Sequence, residues 1–338
     1  MIMYFHFLIV SLLFTIIIPY CLRKEIGNVG ALLWAYCLFS AAWVSFSQWY
    51  DPSAYIHFSI VPIIRDSAKQ SLWLLFCVPL VVIFFRNKLL NIIKIGMVLN
   101  AFSVFCLGYG MFNAGTFDAG VMAAGLPLFM SRNYKKINFI AATFVLGAII
   151  STKSATGALV LLVVAISYMT IWKSYLYAVG AALFSFGVSF WLQGSELFND
   201  SGRLTAWKNY LAWWLANADK VFGTGVSTFN AISGFIVNGN GTIFLWAHND
   251  WLQLLFDAGI IGLVLGLCYY FSTLYKVRKN AVLFSSLAGF GACALTYSPL
   301  HFAFSQMMCG YLFVKAEEYA KGLSKEGYRP NKRRVHLW

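Results

Sequence analysis

The chain has 338 residues, of which 60% are hydrophobic and 11% charged, with a mean hydropathy of +0.71. Soluble domains carry about 25% charged residues, so a water-soluble globular fold is excluded. The formal net charge of +13 comes from short basic segments beside apolar runs and from the C-terminal tail, which excludes a nucleic-acid surface as its cause. Apolar runs near the ~20 residues needed to cross a bilayer recur throughout, and predict an all-α polytopic helix bundle with residues 1–338 forming a single membrane domain.

Eleven spans are expected, at about 2–21, 29–46, 67–85, 91–112, 117–130, 137–151, 155–172, 175–192, 250–274, 281–297 and 301–316. The first run is followed, not preceded, by Arg23 and Lys24. That polarity is wrong for a cleavable signal peptide and implies a retained span with an outside N-terminus. Arg86 and Lys88 mark an inner loop between the third and fourth spans. Asp51 and Asp118 fall in outer loops. With this alternation 18 of the 25 Lys and Arg lie inside, as the positive-inside rule requires.

Residues 193–249 then form the long outer connector, facing the periplasm or outer surface in a bacterium. Within it, Leu204, Trp207, Leu211, Trp214 and Leu215 recur at helical spacing, with Lys208 and Asn209 on another face. This predicts a helix over 200–217, capped by Asp200 or Ser201 and lying in the membrane interface. Gly223, Gly225, Gly234, Gly239 and Gly241 make the rest of the connector backbone-rich. Residues 317–338 read as a basic cytoplasmic tail facing anionic lipid. Seven cysteines lie in or beside apolar runs, an odd number without a CxxC pair, so neither a disulfide framework nor a zinc site is expected. There is no DxD, HExxH or Walker sequence, and the expectation is a site without metal or cofactor.

The segment AHNDWLQLLFDAGIIGLVLGL (247–267) concentrates the polar groups. Asp250, Gln253 and Asp257 fall at i, i+3 and i+7, on one face of a helix entering the bilayer. Polar groups there are costly and mark function by default, which makes Asp250 and Gln253 candidate substrate contacts. His248 can take a proton from a hydroxyl near neutrality, or it is an ordinary interface residue. Asn249 and Asp250 can orient it or cap the helix. Arg203, at the start of the connector helix, can grip phosphate in a bidentate fork beside free backbone N–H groups, or it is a surface arginine near headgroups. Lys153 in STKSATGALVLL either snorkels to the surface or supplies a second cation. His301, after Pro299, sits at the outer start of the last span. Gly259, Gly262 and Gly266 have the spacing of close helix packing.

Three segments together resemble the O-antigen ligase and O-antigen polymerase family of bacterial envelope proteins. STKSATGALVLLVVAI (151–166) resembles the family's Ser-Arg-Gly segment opening a membrane helix. GRLTAWKNYLAWWLANADKVFGTGVSTF (202–229) resembles its Arg-x-x-x-Trp helix and Gly-x-Gly turn. Residues 247–267 resemble its His-Asn-x-x-Leu-Gln-x-x-x-Glu-x-Gly-x-x-Gly signature. The likeness covers residues 150–315. It implies an inverting, metal-independent glycosyltransferase of lipopolysaccharide or other polysaccharide biosynthesis, in the bacterial inner membrane with its site facing the periplasm. The donor would be an undecaprenyl-diphosphate-linked glycan, and the acceptor a glycan, lipid A-core or a protein. Arg203 would be the diphosphate ligand and His248 the residue activating the acceptor. Two departures stand out. Lys153 replaces the family arginine and cannot grip phosphate bidentately, and Asp257 stands for the usual Glu. The rival readings are a transporter or flippase of envelope glycans, disfavoured by the nearly apolar midspans, and a non-catalytic homologue.

Overall fold

The computed structural model describes residues 19–20, 22–40, 78–107, 115–130, 135–171, 202–225, 229, 247–297, 299–301 and 303–325. Every regular element in them is helical: α1 (22–40), α2 (Val78–Leu107), α3 (Gly115–Gly125), α4 (Lys135–Ser151), α5 (Ala155–Ile171), α6 (Arg203–Asn217), α7 (Asp250–Val277), α8 (Ala281–Thr296) and α9 (Ala303–Lys325), with short 3₁₀ turns at Leu126–Met130 and Pro299–His301. The all-α class agrees with the sequence. Lys88–Leu107 and Asp250–Val277 are long and apolar enough to cross a membrane, and Asp118–Met130, Lys136–Ser151, Ala155–Ile171 and Ala281–Thr296 are shorter apolar helices. The expected spans at 2–21 (but for 19–20) and 175–192, the caps Asp200 and Ser201, Asp51, Gly234, Gly239, Gly241 and the end of the tail lie outside the described residues.

Three expectations are corrected. The loop around Arg86 and Lys88 is helix, because α2 runs unbroken through it. Charges end an apolar stretch, but Arg, Lys and Leu are good helix formers and do not end a helix. For the same reason α9 continues to Lys325, well past the expected start of the tail. Asp118 is not in a loop. It lies in the first turn of α3 and is 0% exposed, where a helix N-terminus favours a carboxylate.

The chain divides into two compact units, residues 1–80 with 200–272, and residues 81–199 with 273–338. In the second, α3, α5 and α8 pack through small residues. A Cβ on Gly157 would lie 2.6 Å from that of Ala119, and one on Gly120 would lie 2.7 Å from the Cys293 sulfur and 3.1 Å from Thr156. Backbones approach closely there, which is how helices gain contact when lipid supplies no hydrophobic drive. Ser154 caps α5 by accepting from the Gly157 N–H at 3.1 Å, and Asn280 caps α8 by accepting from Leu283 at 3.1 Å. Lys276 pairs with Glu317 near the other end.

The first unit is built from α1, α6, α7 and the turn after α6. Ala206, Tyr210, Trp214, Ala218, Phe229, Ala247 and Phe256 form its core. Tyr210 meets Phe229 edge-on at 4.9 Å, and Trp213 stacks on Phe256 at 6.2 Å. The apolar residues of α6 therefore divide between two faces rather than sharing one. Tyr210 and Trp214 point into the core, whereas Leu204, Leu211 and Leu215 are exposed beside Lys208. Gly202, with φ 79 and no side-chain cap bond, occupies the N-cap where Asp200 or Ser201 was expected.

The glycines of α7 differ in role. Gly262 packs closely against Tyr36 of α1, as the spacing suggested, but Gly259 breaks the helix with φ 68 and ψ −170. That region is open essentially to glycine alone. The break frees carbonyls of Phe256 and Asp257 that a straight helix would use for residues 260 and 261. The turn after α6 takes them: Thr224 N–H donates to Phe256 O at 2.7 Å and Gly225 N–H to Asp257 O at 3.1 Å, while the Ile260 N–H donates to Lys220 O at 2.9 Å. A Cβ on Gly223 would fall on the Phe256 carbonyl, and one on Gly259 on the Val221 carbonyl. Gly259→Ala is expected to destabilise the protein by about 1–3 kcal/mol from backbone strain, with the collision adding to it. Thermal unfolding in detergent checks this, and an unchanged midpoint would contradict the kink.

Candidate functional site

The polar residues of the first unit converge where α6 and α7 begin. Arg203 is the first residue of α6. One turn on, Trp207 donates its indole N–H to the carbonyl of Ala247 at 2.7 Å. Residues i and i+4 share a helix face, so this bond sets the residue after Ala247 beside Arg203. That residue is His248. Its backbone is left-handed, with φ 51, uncommon for any residue with a side chain. Asn249 follows as the cap of α7, its Oδ1 accepting from the N–H of Trp251 and of Leu252 at 3.0 Å each. Of the two roles open to Asn249 and Asp250, capping thus falls to Asn249.

Asp250 is the first residue of α7 and is 6% exposed. Gln253, 5% exposed, ties the loop to the helix: its Oε1 accepts from the Ala247 N–H at 3.1 Å, and its amide donates to the Asp257 carboxylate at 3.3 and 3.4 Å. Gln253 therefore has a structural task that accounts for its burial. Both polar groups of the Ala247 backbone are held, the N–H by Gln253 and the carbonyl by Trp207. His248 has little freedom to leave Arg203.

The electrostatics follow from this placement. Burial, and then the positive charge of Arg203, push the His248 imidazole down from its ordinary 6.5 to about 4. At neutral pH the ring is uncharged and can accept a proton, but its basicity is held down by the neighbouring cation. An anion bound at Arg203 would offset that charge and raise the basicity of the ring.

Lys153 and His301 belong to the other unit. Lys153 is exposed, in the turn between α4 and α5, and it too has a left-handed backbone, with φ 51. Its N–H donates to Ile150 O at 3.1 Å, and Ser154 then starts α5. His301 ends the 3₁₀ turn Pro299–His301. The structure thus gathers Arg203, His248, Asp250 and Gln253 in one place. The sequence reading missed Trp207 as the link to the histidine loop. Its signal was present in the spacing of Arg203 and Trp207, but the partner is a backbone carbonyl 40 residues away. Among the described residues no group of three or more His, Cys, Asp or Glu could hold a metal ion.

Among the described residues, apolar helices thus bring a guanidinium, Arg203 at the start of α6, beside an imidazole, His248 just before α7. Residues 119–267 match the family model described as O-antigen ligase, a stretch that holds the three motif segments whose resemblance to that family was noted in the sequence. The matched stretch contains Lys153, Arg203, His248, Asp250 and Gln253, and ends before His301. Among curated proteins none matches the chain. The matched domain supports, at a coarse level, a glycosyltransferase-like membrane enzyme acting on glycan and lipid-linked substrates.

Proposed function

We propose that the protein transfers a glycan from undecaprenyl diphosphate to an acceptor hydroxyl, with inversion and without metal, at the periplasmic face of the bacterial inner membrane. The observation that carries this reading is the Arg203–His248 pair. Arg203 holds the diphosphate. His248 accepts the proton of the acceptor hydroxyl, the acceptor oxygen bonds to the anomeric carbon, and the bond from that carbon to the phosphate oxygen breaks. Undecaprenyl diphosphate leaves as an anion, its charge met by the guanidinium in a water-poor site. The charge coupling gives an order to the steps: donor binding at Arg203 relieves the imidazole and makes it a better base when the acceptor arrives.

Asp250 sits next to this pair as a candidate acceptor contact. Lys153 carries over from the resemblance, and His301 from its place at the start of the last expected span, as candidate substrate contacts of their own unit. The exposed Leu204, Leu211 and Leu215 suit α6 to a headgroup boundary, with Lys208 toward phosphate. Glycan, lipid A-core and protein remain the acceptor classes of the reading, and membrane lipid its surroundings. The test is transfer by the purified full chain in nanodiscs, with lipid-linked glycan extracted from the source strain as donor. Transfer is expected to continue in excess chelator. A strict requirement for Mg²⁺ or Mn²⁺ would overturn the metal-free reading.

A further inference from the structure

Helix α1 precedes the family match, yet it reaches the backbone that joins the two site helices. The Tyr36 hydroxyl donates to the carbonyl of Val221, and the Ser40 hydroxyl donates to the carbonyl of Phe222 at 2.6 Å. The Phe222 ring stacks on Tyr36 at 6.4 Å and meets Phe39 at 5.7 Å. The N–H groups of the same two residues are taken by Asp219, whose Oδ1 accepts from Val221 at 2.7 Å and from Phe222 at 2.9 Å. Lys220 closes the end of α6 by donating to the carbonyls of Trp214 and Ala218, both at 2.7 Å. The turn from 218 to 225 is thus held on three sides, by the end of α6, by the kink of α7 and by α1.

We propose that Tyr36 and Ser40 are positioning residues for transfer: they latch the turn that fixes the far end of α6 and so hold Arg203 in register with His248. The proposal rests on the functional reading given above. Its physical basis is leverage. α6 has 15 residues, about 22 Å at 1.5 Å per residue. A tilt of about 3° at its latched end would carry Arg203 by about 1 Å, and misplacement on that scale costs on the order of 10²-fold in rate. The aromatic core alone resists such a tilt poorly, since ring contacts are less directional than hydrogen bonds. Two hydroxyls near the C-terminal end of α1, both aimed at carbonyls of one turn, add direction to that supplied by the backbone bonds with α7.

The experiment uses the full chain in nanodiscs and reads His248 directly. Carbethoxylation of His248 by diethyl pyrocarbonate, followed by mass spectrometry from about pH 4.5 to 8, reports the neutral imidazole. The charged group acting on His248 is Arg203 from α6, and Asp250 follows two residues on at the start of α7. Wild type is expected to react across the whole window, because the ring is pushed down to about 4. Tyr36→Phe and Ser40→Ala, singly and together, are expected to raise the titration of His248 toward its ordinary value and into the window, since loosening Arg203 relieves the second of the two causes that push the ring down. They should also lower turnover at saturating donor roughly tenfold, and Ser40→Thr should restore both. A latch that only stabilised the fold would lower the melting temperature and leave the titration of His248 where it was, and that result overturns the proposal. Arg203→Ala is the control. If it moves the titration and the α1 variants do not, the latch alone has failed. If it does not, the Arg203–His248 pairing itself has failed.

Discussion

Replacing His248 with alanine is expected to lower glycan transfer by ~10²–10⁴-fold, the usual contribution of a positioned base, while the protein still folds and still binds donor. Folding should survive because Ala247 and Asn249 make the structural bonds of this loop. His248→Gln keeps a hydrogen-bonding group but cannot serve as base at neutral pH. Near-normal turnover by that variant would exclude proton transfer to His248. The pH profile adds a second check. The neutral ring is the active form, so rate is lost as pH falls through its pKa. In the free enzyme that pKa lies near 4, and the acid limb of kcat/KM should lie correspondingly low. With diphosphate on Arg203 the ring becomes more basic, and the limb of kcat should lie at higher pH. Identical limbs would contradict the coupling. The same shift bears on stability: the folded ring resists protonation, so stability contributed by His248 is present above about 6.5 and is lost as pH falls toward about 4.

Arg203→Ala should reduce kcat/KM for donor by roughly 10–100-fold, which corresponds to about 1.5–3 kcal/mol for hydrogen bonds to a charged group. Arg203→Lys should recover part of this, since a point charge remains but the fork is lost. Kinetics with varied donor concentration test both, and full activity of the lysine variant would show that Arg203 acts through charge alone. The alanine variant should also free His248 from its neighbouring cation. The two substitutions therefore act on one coupled unit, and their losses should not add.

Much of the helical layout was legible in the chain. The start of α6 at Arg203 followed from the spacing of Leu204, Trp207, Leu211 and Trp214, although those residues face two ways and the cap is Gly202. The start of α7 followed from the polar His-Asn-Asp run before the long apolar stretch. Arg203 and His248 were legible as candidates because a cation and an imidazole are conspicuous in so apolar a sequence. Their adjacency was not, because it depends on an indole bonding a carbonyl 40 residues away, and a backbone carbonyl carries no sequence signature. The continuous α2 was hidden because hydropathy reports where apolar character stops, not where a helix stops. The kink at Gly259 was read as a packing glycine. Only the exchange of backbone bonds with residues 220–225 distinguishes the two roles.

That exchange also bears on how the protein reaches its membrane form. Alone, α7 would satisfy its backbone best as a straight rod, since hydrocarbon offers its free carbonyls no partner. A bend at Gly259 becomes favourable only when donors from the preceding turn are at hand. The turn lies upstream in the chain, so it leaves the ribosome before α7 does. The bend in α7 and the turn that meets it therefore complete one another, and α7 without residues 218–225 would lack the donors that make a bend at Gly259 favourable.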